Sequence, residues 1–230
     1  MPATLFFDLD NTLCHPTVPF TQIFSANCGP LLEGLADAHI SALLHTWDAA
    51  LEAPGHSTMP ACLERALAAA GIAASERLIE QCARALTDEW AATQRLGDGV
   101  METLTHLGQS HPLGLITNGP DDGQRAVIAA LRLDEVFRWC IVSGDATVGI
   151  RKPDPRIFQH ALALSGSTPR DTWYTGDSLV KDMSGAAAAG WRTCWIGPKD
   201  EPFAPDLPHP DAHIVRLEEL PQIIAGYGYE

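Results

Sequence analysis

Residues 4–10, TLFFDLD, decide how this chain is organised, because an apolar run ends abruptly in two carboxylates. A short run of bulky apolar residues is typical of a strand buried on both faces of a parallel sheet. Residues two apart in an extended chain point the same way, so Asp8 and Asp10 share one face. Close carboxylates repel each other, so either one of them is protonated or a metal ion lies between them. The pair alone fits equally well with Asp10 capping the next turn.

Strand-like and helical segments alternate along the chain after residue 97. The strand-like segments are 112–119 (PLGLITNG), 139–145 (WCIVSGD), 171–177 (DTWYTGD) and 192–197 (RTCWIG), and a last strand and helix follow within 213–224. Strands that alternate with helices predict an α/β fold, here a Rossmann-like doubly wound parallel sheet with helices on both faces. In such folds ligands bind beyond the carboxyl ends of the strands.

Residues 15–96 have a different pattern, rich in alanine and leucine with helical periodicity. Leu78, Cys82 and Leu86 fall on one helical face, and Ser75 stands where it can cap that helix. A second helix is predicted over residues 60–70, closed by Gly71. No strand is predicted in this region, and the loop at 52–59 separates its helices.

Composition excludes several classes of partner. The formal net charge is −14 and the pI is about 4.9, so the protein repels nucleic acid and anionic lipid. No apolar run is long enough to cross a bilayer, and nothing resembles a signal peptide. The six cysteines are widely spaced without a Cys-x-x-Cys pair, which predicts reduced thiols in a cytoplasmic protein.

Polar residues recur where the predicted strands end. Thr117 and Asn118 follow one strand, Lys152 lies in a stretch stiffened by Pro153, and Asp177 follows another strand. Each of these turns is unremarkable alone. Several of them at one sheet edge predict a site, in which a lysine could pair with Asp8 and carboxylates could offer the hard oxygen ligands that Mg²⁺ prefers.

These stretches together resemble the haloacid dehalogenase-like hydrolase superfamily. The matching motifs, in chain order, are DLDNT (8–12), ITNG (116–119), RKPDP (151–155) and GDSLVKD (176–182). The resemblance extends over residues 3–197 and is greatest to the nucleotidase and acylneuraminate-phosphatase-like members. It implies a catalytic core formed by residues 1–14 and 97–230, and a helical cap formed by residues 15–96.

The resemblance also implies a role for each motif residue. Asp8 would be the nucleophile and Asp10 the general acid and base, while Lys152 balances charge. The implied phosphate-binding residues are Leu9, Thr117, Asn118 and Lys152. The implied Mg²⁺ ligands are the Asp8 carboxylate, the Asp10 main-chain carbonyl and Asp177, supported by Ser178 and Asp182. In the cap, His56, Ser57, Trp47 and Trp90 are candidates to touch the leaving group.

We therefore expect a Mg²⁺-dependent phosphomonoester hydrolase that forms an aspartyl-phosphate. Its substrate would be a small phosphorylated metabolite, such as a nucleoside monophosphate or a sugar phosphate, and the protein would be a monomer or homodimer. Three alternatives stay open: a phosphomutase, a 2-haloacid dehalogenase and a non-catalytic binding module. Asp10 argues against a dehalogenase, because halide leaves without protonation.

Overall fold

A computed structural model describes residues 2–28, 37–200 and 206–228. The strands are β1 (Thr4–Phe7), β2 (Cys14–Pro16), β3 (Gln94–Leu96), β4 (Leu113–Thr117), β5 (Trp139–Val142), β6 (Thr172–Gly176), β7 (Arg192–Ile196) and β8 (Ala212–Ile214). The helices are α1 (Phe20–Asn27), α2 (Asp37–Leu51), α3 (Met59–Ala69), α4 (Glu76–Thr93), α5 (Val100–Gly108), α6 (Asp121–Ala130), α7 (Pro155–Ser165), α8 (Ser184–Ala188) and α9 (Leu220–Gly226). A π-helical turn, Leu179–Met183, precedes α8. Within the described residues, no helix combines the length and apolarity needed to cross a membrane.

Six strands form a parallel sheet in the order β5-β4-β1-β6-β7-β8, which confirms the predicted α/β fold. The first strand, β1, lies in the middle, with Phe7 in register with Leu115 of β4 and Thr175 of β6. Because all these strands run the same way, the residues that follow β1, β4 and β6 meet at one edge.

Alternate side chains of the central strand enter different hydrophobic clusters. Leu5 and Phe7 join the cluster that includes α5 and α9, whereas Phe6 joins the one that includes α7 and α8. All three are at most 1% exposed. Full burial of a leucine or phenylalanine contributes about 1.5–3 kcal/mol, so both faces of β1 stabilise the sheet.

Helices α1 to α4, which we call the helical insertion, have a hydrophobic cluster of their own. Phe24, Leu43 and Leu63 are fully buried there. Ser75 caps α4 as predicted, since its hydroxyl accepts a hydrogen bond from the N–H of Leu78. The separate cluster supports a division into a core (1–14 and 97–230) and a cap (15–96), and that division stays a prediction. The parts of the sequence predictions that concern residues 29–36 and 201–205 lie outside the described residues.

The expectation of helices alone between residues 15 and 96 is wrong at both ends of that range. Strands β2 and β3 pair antiparallel, with Cys14 opposite Leu96 and Pro16 opposite Gln94. The two chain segments that enter and leave the helical insertion therefore run side by side. Three-residue strands are too short to show a periodicity, and only their pairing reveals them.

Candidate active site

Asp8 continues directly from β1 into the sheet edge. Its N–H donates to the carbonyl of Thr175 at 2.9 Å, and the residue is only 7% exposed. Asn11 then takes a left-handed conformation, with φ at +61°, which asparagine tolerates better than most residues. The turn brings Thr12 back beneath the site, where its Oγ lies 3.5 Å from oxygens of both Asp8 and Asp177.

The side chain of Lys152 contacts the carboxylate of Asp8. Its Nζ lies 2.5 Å from Asp8 Oδ1 and 2.7 Å from Asp182 Oδ1, and also donates to the Tyr174 hydroxyl at 2.7 Å. The lysine is 4% exposed, so it is buried together with its partners. The two carboxylates raise the pKa of Lys152 despite its burial, and the side chain therefore stays an ammonium.

Asn118 holds the main chain of Lys152 in place. Its side-chain amide donates to the main-chain carbonyl of Lys152 and accepts from the main-chain N–H of Lys152, both at 2.9 Å. The sequence predicts Asn118 only as a phosphate-binding residue, and it gives no sign of this bridge between residues 34 positions apart. The side chain of Asn118 thus positions the main chain of Lys152 through one donated and one accepted hydrogen bond.

Three carboxylates form a cluster that could hold a metal ion. One oxygen each from Asp8, Asp177 and Asp182 lie within 4.8 Å of one another. Asp182 also accepts the N–H of Ser178 at 2.9 Å, and Gly176 makes room for it, because a Cβ there would lie 2.5 Å from Asp182 Oδ2. Carboxylate oxygens in this number fit a hard divalent cation such as Mg²⁺.

The surroundings of the site disfavour the ionised forms of its carboxyl groups. Burial raises the pKa of Asp8 to about 8, since Lys152 offsets the burial only in part and the charges of Asp182 and Asp10 oppose ionisation further. Burial is also the first cause of the raised pKa values of Asp10 and Asp177. A cation bound among these groups would favour their ionised forms.

Gln124 contacts Asp10 and Thr117, and the sequence did not predict either contact. Its amide nitrogen donates to Asp10 Oδ2 at 2.7 Å and to the hydroxyl of Thr117 at 2.6 Å. Helix α6 begins at Asp121, so Gln124 falls in its first turn at the sheet edge. A glutamine inside a predicted helix carries no local signal for such a role.

Two predicted phosphate-binding residues are deeply buried. Leu9 and Thr117 are both 0% exposed and do not line the cavity beside Asp8. The Leu9 side chain packs in a hydrophobic cluster, so any phosphate contact there would involve its main chain. The Ser178 hydroxyl accepts from the N–H of Lys181 at 3.0 Å, while its own N–H supports Asp182.

The other residues predicted at the strand ends meet in a cavity of 540 Å³ between the sheet edge and the helical insertion. From the sheet edge, Asp8, Asp10, Asn118, Lys152, Asp177, Ser178 and Asp182 line it. From the helical insertion, Phe20, Trp47, Asp48, Leu51, Glu52, Met59 and Trp90 line it. The expectation for Trp47 and Trp90 thus agrees with their position.

The expectation for His56 and Ser57 is wrong. The His56 ring nitrogen lies 2.6 Å from the carbonyl of Gly144, and the Ser57 N–H donates to that same carbonyl at 3.0 Å. Neither residue lines the cavity. Their loop instead packs against the turn after β5, because backbone groups of the loop form hydrogen bonds with backbone groups of the core. One of these bonds runs from the N–H of Asp121 to the carbonyl of Ser57.

Comparison with known proteins connects this geometry to one family. Residues 2–190 match the profile of the haloacid dehalogenase-like hydrolases. A phosphoserine phosphatase of Thermus thermophilus is 40% identical over 46% of this chain, and an N-acylneuraminate-9-phosphatase of Mus musculus is 30% identical over 67% of it. The aligned stretches span 44% and 62% of those relatives, less than two thirds of either. A solved 2-haloacid dehalogenase from Pseudomonas syringae pv. Tomato is 25% identical and superimposes with a TM-score of 0.78, covering 99% of this chain and all of that one.

Proposed function

The chain belongs to the haloacid dehalogenase-like hydrolases, and from this premise we propose that it is a Mg²⁺-dependent phosphomonoesterase. The observation that carries the proposal is the contact between Asp8 and Lys152 in the cavity, with Asp10 two residues away. A carboxylate held against an ammonium is a nucleophile beside a group that balances phosphate charge.

Two displacements at phosphorus would complete the reaction. The Asp8 carboxylate attacks phosphorus and forms an aspartyl-phosphate, while the bond from phosphorus to the ester oxygen breaks and Asp10 donates its proton to that oxygen. A water molecule then attacks the same phosphorus and gives a proton to Asp10, and the bond to Asp8 breaks. Lys152 offsets the negative charge throughout.

The carboxylates of Asp8 and Asp177 and the main-chain carbonyl of Asp10 are the proposed Mg²⁺ ligands, and the clustered oxygens support this. When bound, the ion would offset charge on the phosphoryl oxygens and on the carboxylates around it. Asp182, held by Ser178 and Lys152, would support this shell. The helical insertion would act as a cap that excludes water.

The cavity also bears on the substrate. Among the described residues, its lining has six carboxylates, Asp8, Asp10, Asp48, Glu52, Asp177 and Asp182, against three cations, Arg151, Lys152 and Lys181. Glu52 engages two of these cations, at 2.7 Å from Lys181 Nζ and 3.3 Å from an Arg151 nitrogen. We propose a small monoester with one phosphate and an uncharged leaving group, such as a nucleoside or a sugar. The apolar wall of Phe20, Trp47 and Trp90 supports this.

The location and assembly of the protein remain proposals. Each of the six cysteines, all within the described residues, is a free thiol, which supports a reducing, cytoplasmic location. A monomer or homodimer remains the predicted assembly.

The proposed function is tested with p-nitrophenyl phosphate. We expect hydrolysis with Mg²⁺, loss of activity with EDTA, and recovery when Mg²⁺ is restored in excess, because the clustered carboxylates repel phosphate without a cation. The absorbance of released nitrophenolate measures the rate. Chloride release from 2-chloropropionate without Mg²⁺, together with no phosphate release, would instead favour the dehalogenase alternative.

Thermal unfolding provides a control for this test that does not depend on turnover. At about 100 times its dissociation constant, Mg²⁺ should stabilise the wild-type protein by about 2.7 kcal/mol. Asp177→Asn should remove most of that gain. If Mg²⁺ shifts both proteins equally, Asp177 is not a ligand.

Glu52→Gln is expected to change selectivity for substrate charge. The substitution releases Arg151 and Lys181 from their ion pairs with Glu52, so a second anionic group on the substrate can pair with them. The kcat/KM for phosphoglycolate, relative to that for glycerol 2-phosphate, should rise about three- to fivefold, as expected for partly exposed ion pairs. Glu89→Gln, at an exposed position of α4 away from the cavity, is the matched control. An unchanged ratio would contradict the role of Glu52.

A further inference from the structure

The amide of Gln124 joins the strand end at Thr117 to Asp10. Its nitrogen lies 2.7 Å from Asp10 Oδ2 and 2.6 Å from Thr117 Oγ1, so both N–H groups have acceptors. An amide with both N–H groups engaged cannot rotate without losing a hydrogen bond. The hydrogen bond to Thr117 therefore fixes the plane of the amide, and with it the direction of the N–H group that donates to Asp10.

The surroundings of Gln124 keep the side chain in this position. The residue is 5% exposed. A Cβ atom at position 119 would lie only 2.6 Å from the Cγ of Gln124. Gly119 thus allows the close approach of α6 to the strand end. The main-chain N–H of Gln124 also donates to the carbonyl of Pro120 at 3.0 Å, which anchors the first turn of the helix.

Resting on the proposed function, we infer that Gln124 is a positioning residue that decides which oxygen of Asp10 transfers the proton. Its N–H keeps Oδ2 as an acceptor. Within the described part of the chain, no residue donates a hydrogen bond to Asp10 Oδ1. The proton therefore resides on Oδ1, which gives it to the ester oxygen as that oxygen leaves phosphorus and later takes one from water.

The inference predicts a dependence on the leaving group. A p-nitrophenolate leaves without help, whereas an alkoxide needs a proton, and a well-placed general acid contributes about 10²- to 10⁴-fold. For Gln124→Leu, kcat/KM for glycerol 2-phosphate should fall about 100-fold, and kcat/KM for p-nitrophenyl phosphate less than about fivefold. The ratio kcat/KM is the right quantity, because it covers only the steps up to release of the alcohol.

Two further variants and one inhibitor complete the experiment. Gln124→Glu keeps the size of the side chain but replaces the donor by an acceptor, and should show the same leaving-group dependence if the leucine variant folds poorly. Gln159→Leu, at an exposed position of α7, is the matched control and should change neither substrate. Inhibition by orthovanadate should stay within about threefold of wild type, because Gln124 forms no hydrogen bond with Asp8, Lys152 or Asn118, and its partner Thr117 does not line the cavity.

The outcomes are distinct. Equal losses for both substrates, or a large loss of orthovanadate inhibition, would mean that Gln124 only maintains packing, and would overturn the inference. Unchanged kcat/KM for both substrates would overturn it as well. If the wild-type protein with Mg²⁺ hydrolyses neither substrate, the proposed function fails, and the inference fails with it.

Discussion

Replacing Asp8 by asparagine should reduce turnover of p-nitrophenyl phosphate by on the order of 10⁴-fold or more, as expected for loss of a nucleophile. The amide cannot form the aspartyl-phosphate, while Asp10, Lys152 and Asp177 keep their places. The fold should survive, because Lys152 retains its ion pair with Asp182. Burial raises the pKa of Asp8 and so opposes its ionised form, which offsets part of the ion pair that the neutral amide loses. The free energy of unfolding should stay within about 1 kcal/mol of wild type.

The control for this variant is Asp48→Asn, which removes a carboxylate from the exposed rim of the same cavity. It should retain most of the activity, because Asp48 takes no part in the proposed chemistry. Rates are compared by nitrophenolate release, and stability by urea unfolding. Turnover by Asp8→Asn at more than a few per cent of wild type would refute the assignment of the nucleophile.

Lys152→Met should have the largest effect on stability. The lysine is 4% exposed and pairs with two buried carboxylates, those of Asp8 and Asp182. Removal of one partner from a buried ion pair leaves uncompensated charge, at a cost of about 3–5 kcal/mol. Activity should be lost as well, because no other cation in the described part of the cavity contacts Asp8.

The stability loss in Lys152→Met should depend on pH. Without the ammonium, which lowers the pKa of Asp8 in the wild-type protein, the pKa of Asp8 in the folded variant lies further above its unfolded value. The folded variant then binds more protons than the unfolded chain, so its stability falls as pH rises. Urea unfolding should therefore show a smaller deficit at pH 5 than at pH 8.

Lys181→Met is the matched control for the lysine. Its side chain is 47% exposed and pairs with the half-exposed Glu52, so its loss should cost less than about 1 kcal/mol. If Lys152→Met were destabilised no more than Lys181→Met, the buried ion pair would not have the energetic role that its geometry indicates.

Several features of the site could be predicted from local sequence. An apolar run ending in Asp8 and Asp10 indicates a buried strand and the edge where it stops. Asp177 follows a strand of the same kind, and parallel strands bring such ends together. The contact of Lys152 with Asp8, residues 144 positions apart, agrees with the expected pairing.

Other features could not be predicted, because they depend on how whole elements pack. His56 and Ser57 stand in a polar loop that could have faced the cavity, yet backbone hydrogen bonds fix that loop on Gly144. Glu52, which follows α2, pairs with Lys181 of the π-helical turn, 129 positions away, and this contact requires the packed positions of both elements. The hydrophobic periodicity of the sequence does not indicate which loop contacts which strand end.

The sequence by itself determined the order of strands and helices after residue 97, the edge of the sheet where polar residues collect, and the identity of the acidic pair. Tertiary structure alone decided that Gln124 holds Asp10, that Asn118 holds the main chain of Lys152, and that β2 pairs with β3. The physical reason lies in the range of the interactions. Burial and chain direction act on each segment locally, whereas a hydrogen bond between residues 114 positions apart requires the packed positions of both elements.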